Sequence, residues 1–449
     1  MTLLGAVAGV AEVDELLDDP ALVQSMVTAE IALLRACERA DLVPAGTADA
    51  AAAAVTGHRF DPAALGAAAT SAGNPVVPLV KELLTLVPDD ARAWLHHGAT
   101  SQDILDTALM LRAAVVVDVE LSFLAAARDA AAALADRHRA TRQVGRTLGQ
   151  HAVPTTFGVT AAGWAVGLDA ARRELEAVRS SLAVQLGGAA GTLGVYGPAG
   201  PAVVTAFAEE LGLAAPALPW HTDRSRIRSL ASALGGAVMA AGKVATDVVA
   251  LSASEVGEVA EGGGAGHGGS SAMPHKRNPV TSVLVRGAAV RAPGLVSTLH
   301  AAGLQEHQRA TGSWHAEWQP LLELLSLAGG AATRISDVLA GLEVDADRMA
   351  ETLAAARPAV MAEHLTAALK PRLGRDEAQR VVGAAMTAGD DAAVVAAVLD
   401  SVAADAAGTG AGLGAAELHQ ALDPGATLTA CGAIVDSALQ SVTHPDVAR

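Results

Sequence analysis

Residues 268–280 read GGSSAMPHKRNPV, and glycines crowd the ten residues before them. A serine hydroxyl, an ammonium and an amide behind a glycine-rich tether are the parts of a loop that folds over an anion. Ser270 can carry a proton only where its alkoxide is stabilised, and Lys276 brings a positive charge for that purpose. Asn278-Pro279 ahead of VTSVLVRGAAV reads as a helix start. Asn278 is its N-cap, Pro279 its first helical residue, and the free N–H groups of its first turn form an anion site. The chemistry implied is proton transfer at a carbon beside a carboxylate, whose growing charge Lys276 and Asn278 would hold. The plain alternative is a Gly-Ser connector before a capped helix. A nucleotide-binding P-loop is excluded, because Arg277 follows Lys276 where Ser or Thr is required, and no strand is expected ahead of the loop.

Long helices must position such a loop. From Ala99 to Val144 there is neither Gly nor Pro, so one helix could run the whole way. Over 223–261, Ile227, Leu230, Leu234, Val238, Ala241, Val244, Val248 and Leu251 recur at steps of three or four. Residues 155–186 and 280–342 read alike, with Pro293 a kink in the last. The expected fold is all-α, with a central bundle of long helices. Between 236 and 254 only Lys243 and Asp247 are charged, so neither face suits water and burial against other copies is expected: a homo-oligomer. Prolines punctuate 1–98, the long helices fill 99–342 with the loop at 262–278, and a smaller helical part covers 343–449.

Composition narrows the partners. Lys and Arg number 31 against 48 Asp and Glu, a net charge of −17 that disfavours nucleic acid. Hydrophobic residues make up 51% and aromatics 2%, so packing rests on Ala, Leu and Val. Cys37 and Cys431 are the sole cysteines, which leaves no disulfide framework and no cysteine metal cluster, and adjacent His96 and His97 diverge on a helix. No metal or cofactor is expected. The N-terminus lacks a basic start, and the longest uncharged stretch, 180–208, is broken by glycines, Pro198 and Pro201. A cytoplasmic protein without membrane contact is expected.

GSSAMPHKRNP resembles the signature of the fumarase/aspartase superfamily, which includes adenylosuccinate and argininosuccinate lyases. HHGATSQDILDTA (96–108) and GRTLGQHAVPTTFG (145–158) are similar to two further segments of that family, in the same order. The resemblance implies a three-domain all-α subunit and a homotetramer built around packed helical bundles, each active site drawing on different subunits. It implies Ser270 as the base, Lys276 and Asn278 as carboxylate-binding residues, Thr100 and Ser101 as a substrate-carboxylate site, and His96, Thr147 and Gln150 as pocket lining. For these last three, a buried side chain that merely satisfies the backbone is an equal alternative.

Two departures from the family pattern bear on the reaction. Where the family carries a general-acid histidine and the glutamate that orients it, this chain has Leu148 and Val283. An amine or hydroxide needs a proton to leave. A carboxylate does not, its conjugate acid having a pKa of about 4. The missing pair points to a substrate whose own carboxylate adds to carbon and closes a lactone, with Ser270 the single proton carrier. SAGNPVVPLVKEL (71–83), QLGGAAGTLGVYG (185–197), PWHTDRSRI (219–227) and EHQRATGSWHAEW (306–318) are similar to the superfamily's lactone-forming muconate branch, although that branch would place Trp at 148. A tricarboxylate of that kind needs further polar groups: Arg309 and Ser313 first, then His221 and Arg224. Arg228 fits a solvated face, and Trp314 and Trp318 fit packing. The alternatives are a C–N lyase releasing fumarate from an adenylosuccinate-like substrate, and a non-catalytic structural member of the family.

Overall fold

The computed structural model describes residues 5–262, 268–269, 273, 276–403 and 414–443, so Ser270 lies outside the described residues. Helix α1 (Asp19–Arg39) starts where Asp18 accepts a hydrogen bond from the Ala21 N–H at 2.8 Å, with Pro20 in the first turn. It buries Met26, Leu33 and Leu34, each worth about 1.5–3 kcal/mol out of water. Helix α2 (Ser101–Arg137) starts at a reciprocal clamp: the Asp103 N–H donates to the Thr100 carbonyl at 2.9 Å, and the Thr100 N–H donates to Asp103 Oδ2 at 3.0 Å.

After α2 come an antiparallel hairpin, β1 (Arg142–Thr147) and β2 (Gln150–Thr156), and helix α3 (Phe157–Arg179). Helix α4 (Ser225–Leu251) follows, then β3 (Val259–Ala260), α5 (Val280–Ala302), α6 (Ser313–Ala340) and β4 (Glu343–Val344), which pairs antiparallel with β3. Short helices from Ala346–Ala356 to Thr429–Thr443 complete the chain. The fold is therefore all-α, two small two-stranded sheets among the described residues aside.

Three expectations about elements need correction. The run from Ala99 to Val144 is not one helix: α2 stops at Arg137 and its last residues enter β1. The run 280–342 is two helices broken at 303–312, while Pro293 sits inside α5. A two-residue strand does precede the glycine-rich loop, although Arg277 still rules out a P-loop.

The described chain divides into two compact units. The first comprises 1–125, 170–243 and 283–335, and the second 126–169, 244–282 and 336–449. In the first, Leu79, Leu83, Ile104, Phe207 and Leu234 are completely buried. In the second, Val144 of β1 joins a core with Met361, Leu365, Leu369, Val398 and Leu418. Among the described residues, α4 alone is long and apolar enough to cross a membrane, and half of its most apolar window is buried inside the chain, as in a core helix.

Glycine closes the base of the hairpin. The Phe157 and Gly158 N–H groups donate to the carbonyls of Thr141 and His138 at 2.9 and 3.0 Å. A Cβ on Gly158 would lie 2.6 Å from the Arg139 Cα and 2.8 Å from the Ala135 carbonyl oxygen. Both obstacles are backbone and neither can rotate away. Gly158→Ala is expected to cost about 1–3 kcal/mol, read as a lower thermal unfolding temperature, whereas Gly163→Ala, which meets nothing within 4 Å, leaves that temperature unchanged or higher.

Candidate active site

The first two turns of α2 carry two acidic residues, Asp103 and Asp106, and both are buried. Asp103 is wholly out of solvent and accepts from three places: the Thr100 N–H at 3.0 Å, the Gly188 N–H at 2.9 Å and His221 Nε2 at 2.6 Å. Gly188 belongs to the glycine-rich stretch 185–197. Its φ is +69°, and a Cβ there would lie 2.8 Å from the Gly98 carbonyl oxygen, so only glycine lets the two loops meet. The Tyr196 hydroxyl fastens the same contact by donating to the His97 carbonyl at 2.6 Å. One carboxylate thus gathers the loop bearing Thr100 and Ser101, the glycine stretch and PWHTDR.

Asp106 lies three residues on. It takes Nη1 and Nη2 of Arg224 at 2.7 and 3.0 Å, the Trp314 indole at 2.9 Å and Gln102 Nε2 at 3.1 Å. The other side of the guanidinium grips Glu317, with Nη2 at 2.6 Å. Arg224 is 1% exposed and sits over the Trp220 ring at 4.7 Å. Arg224 and His221, both expected to hold substrate, are placed inside this buried frame. Arg224 spends its donors on two buried carboxylates, and His221, 4% exposed, gives Nε2 to Asp103. Trp314 packs, as expected, and also orients Asp106. Burial pushes the Glu317 carboxyl up to about 7, with nearby Asp106 adding to it and Arg224 opposing it.

Arg309 is different. Its Nη1 donates to Gln102 Oε1 at 2.8 Å and its Nη2 to the Gly188 carbonyl at 2.6 Å, both neutral acceptors. Half-burial, outweighing the pull of Asp103 and Asp106, holds its pKa below the ordinary arginine value. Ser313 opens α6 with its hydroxyl on the Leu304 carbonyl at 3.3 Å. Thr100, Ser101 and His96 are half-buried. His96 Nδ1 lies 2.7 Å from Glu30 Oε1. The first unit carries His96, Thr100, Ser101, Arg309 and Ser313.

The second unit carries Thr147, Gln150, Lys276 and Asn278. Thr147 and Gln150 face one another across the hairpin tip, and the two turn residues between them, Leu148 and Gly149, have φ of +51° and +75°. Leu148 is 102% exposed. A leucine in that left-handed turn is strained and unburied at once. The hairpin is anchored to the segment ahead of the glycine-rich loop: completely buried Glu258 receives Nη2 and Nη1 of Arg146 at 2.6 and 3.0 Å, and Gln143 Nε2 at 2.8 Å.

The neck of the loop is closed. The Asn278 backbone N–H and Nδ2 both donate to the Gly268 carbonyl, at 3.0 and 2.8 Å, and Gly269 bridges Arg277. Arg277 also reaches Glu343 of β4 through two 2.8 Å contacts. Lys276 is exposed. The expected anion site at the start of α5 is corrected: Glu261 already accepts from the Thr281 and Ser282 N–H groups at 3.1 and 2.7 Å. Asn278 accordingly ties the loop through Nδ2 instead of capping the helix. Among the described residues no cluster of three or more His, Cys, Asp or Glu could hold a metal ion.

Sequence reasoning missed Glu30, Asp103, Asp106, Glu258, Glu261 and Glu317. For Asp103 a signal was present, since an acid three residues after Thr100 in GATSQD has the spacing of a reciprocal helix cap.

Residues 13–294 match the family model described as lyase. Nitrosuccinate lyase of Streptomyces davaonensis is 43% identical over 451 residues, covering 97% of this chain and 94% of that protein. The 3-carboxy-cis,cis-muconate cycloisomerase of Pseudomonas aeruginosa is 46% identical over 371 residues, covering 81% of this chain and 80% of that one. Among solved structures, the 3-carboxy-cis,cis-muconate lactonizing enzyme of Pseudomonas putida superposes with a TM-score of 0.88 at 37% identity, covering 98% and 99% of the two chains.

The buried charges make a test of the frame. Arg224→Ala strands Asp106 and Glu317 without a counter-charge and is expected to cost about 3–5 kcal/mol, measured as lost thermal stability. Glu317→Gln is expected to be mild. Because the fold raises the Glu317 pKa from 4.5 to about 7, its stabilising share is complete below pH 4.5 and disappears as pH climbs through 7. Between those limits wild type should lose stability relative to Glu317→Gln; parallel curves would refute this.

Proposed function

The chain belongs to the lyase family, of the fumarase/aspartase type, and on that premise we propose that it is a 3-carboxy-cis,cis-muconate cycloisomerase. It closes 3-carboxy-cis,cis-muconate reversibly to 4-carboxymuconolactone, a step in protocatechuate degradation. The observation that carries this reading is the strained, exposed Leu148 at the turn where a proton donor would stand in an amine-releasing lyase. One carboxylate of the substrate attacks carbon already ionised, so no base is needed there. Ser270 delivers the proton to the neighbouring carbon and takes it back in reverse. Lys276 and Asn278 hold the carboxylate next to that carbon, while Thr100, Ser101, His96, Arg309 and Ser313 hold the others. No cofactor takes part.

The site needs more than one subunit in this reading. Thr147, Leu148 and Gln150 stand exposed at the hairpin tip, ready to line a site elsewhere in a homotetramer. Exposed Met239 on α4 and Val283 and Val290 on α5, 52%, 51% and 82% accessible, support a bundle buried against other copies. The three-part division 1–98, 99–342 and 343–449 belongs here too, supported by the core that the C-terminal helices build among themselves, which Val144 of β1 joins, as does a cytoplasmic location.

One observation favours a second reading. The nitrosuccinate lyase relative matches 97% of the chain, more than the 81% matched by the Pseudomonas aeruginosa cycloisomerase. Elimination from nitrosuccinate expels nitrite, which like a carboxylate is a weak base and leaves without a proton. Leu148 and Val283 therefore disfavour an amine-releasing adenylosuccinate-type reaction and permit this one.

Purified protein should consume the muconate, followed by its ultraviolet absorbance, at the same rate with and without chelator. Release of nitrite and fumarate from nitrosuccinate at a much higher kcat/KM would transfer the assignment to the second reading. Ser270→Ala should lower kcat by about 10²–10⁴-fold. Leu148→Asn suits the turn better and should leave the unfolding temperature intact while lowering kcat/KM by about tenfold or more.

A further inference from the structure

Glu30 is completely buried on α1, and of its two carboxylate oxygens only Oε1 has a partner, His96 Nδ1 at 2.7 Å. An ionised carboxyl sealed from water is tolerated only beside a counter-charge. Among the described residues the group bonded to it is the His96 ring. His96 lies four residues before Thr100, on the stretch that Tyr196 and Gly188 pin, and its φ of +58° is one that a non-glycine residue adopts at a cost. With Nδ1 on Glu30, the second nitrogen, Nε2, makes no hydrogen bond among the described residues, and 22% of the side chain is accessible.

We propose that Glu30 is a positioning residue that holds His96 as an imidazolium whose Nε2–H donates to a carboxylate of the bound substrate. This rests on the reading of the site as one for a polycarboxylate. The charge accounting of the first unit supports it. Arg224 is neutralised twice over by Asp106 and Glu317, so it offers nothing to an incoming anion. Arg309 is one cation with neutral partners, and a charged His96 is a second. The charged groups that act on the ring are Glu30 from α1 and Asp103 from α2, and the same two, with Cys37 of α1, act on Tyr196 of the glycine stretch. Burial alone would lower the His96 pKa. The charge and hydrogen bond of Glu30, with the charge of Asp103, outweigh it and raise the pKa above 6.5. Cys37 is pushed up to about 12 by burial, so it remains a neutral thiol.

The test is made on the full-length protein as wild type, Glu30→Gln, Glu30→Asp and His96→Gln, with far-ultraviolet circular dichroism confirming each fold. Histidine-labelled protein, without substrate, should show one ring titrating above 6.5, absent in His96→Gln. In Glu30→Gln it should move to lower pH, and Glu30→Asp should restore part of the shift. Propane-1,2,3-tricarboxylate should perturb that resonance below its midpoint and not above it. In turnover, Glu30→Gln should raise KM about tenfold with kcat changed less than threefold, and the fall of kcat/KM with rising pH should begin at lower pH. A His96 midpoint at or below 6.5 in wild type, or an unchanged midpoint in folded Glu30→Gln, overturns the proposal. The titration is read without catalysis, so failure of the muconate assay counts against the assigned reaction and leaves the pairing to be judged on the resonance and the tricarboxylate.

Discussion

Asp103 is the interaction on which the rest of the first unit depends. A carboxylate with no exposure to water is costly unless every lone pair is used, and here three segments far apart in the chain supply the donors. The bond from Thr100 fixes where α2 begins. The bond from Gly188 brings the glycine stretch against it. The bond from His221 brings PWHTDR to the same atom pair. A helix start, a tight loop and an imidazole are set in register by one side chain, and Thr100, Ser101 and Arg309 take their positions from that register. Loss of any one donor would leave part of a buried charge unmet, which is why the frame is stiff while the groups it presents are half-open to solvent.

Asp106 extends the frame by one helical turn and sets the sign of its charge. Asp106 and Glu317 flank a single guanidinium, so the buried cluster carries net negative charge while both acids are ionised. A site for a tricarboxylate is ill served by that unless the acids are out of reach of the ligand. They are: both face inward and are spent on Arg224, Trp314 and Gln102. In the proposed site the cation that meets the ligand is Arg309, which the same frame holds through neutral atoms only. The structure thus separates arginines by their partners. One is bound to carboxylates and builds the frame, and one is bound to carbonyl and amide oxygens, which in the proposed reading leaves its charge for the substrate.

The sequence made the helices legible because their apolar spacing is long and regular, and α4 follows it residue by residue from Ile227 to Leu251. It hid the hairpin. Leu148-Gly149 is not the Asn-Gly or Asp-Gly pair that announces a two-residue turn, and the absence of Gly and Pro before Val144 argued for helix. The site was legible where a motif has a fixed spacing, as around Thr100, and misleading where residue type alone was read. Arg224 and His221 look like anion ligands in a string of letters. Whether an arginine is free or already paired depends on Asp106 and Glu317, more than 90 residues away on either side. The helix start after Asn278 was misread for the same reason, because Glu261, not a ligand, fills it.

Leu148 shows why chemistry and architecture have to be weighed together. In the chain alone it strains its backbone and exposes its whole apolar surface, two costs with no return. Both are offset if the tip seats in an apolar recess formed with another copy. A proton donor at that tip would also have to be desolvated on seating, and its burial is worthwhile only if the departing group needs a proton. A carboxylate or a nitrite leaves as a stable anion, so the donor would add a desolvation cost and lower no barrier. Under that condition an aliphatic side chain is the better occupant of the turn, even at the expense of a left-handed leucine. The residue that looks least like catalytic machinery is therefore the one that restricts the reaction most.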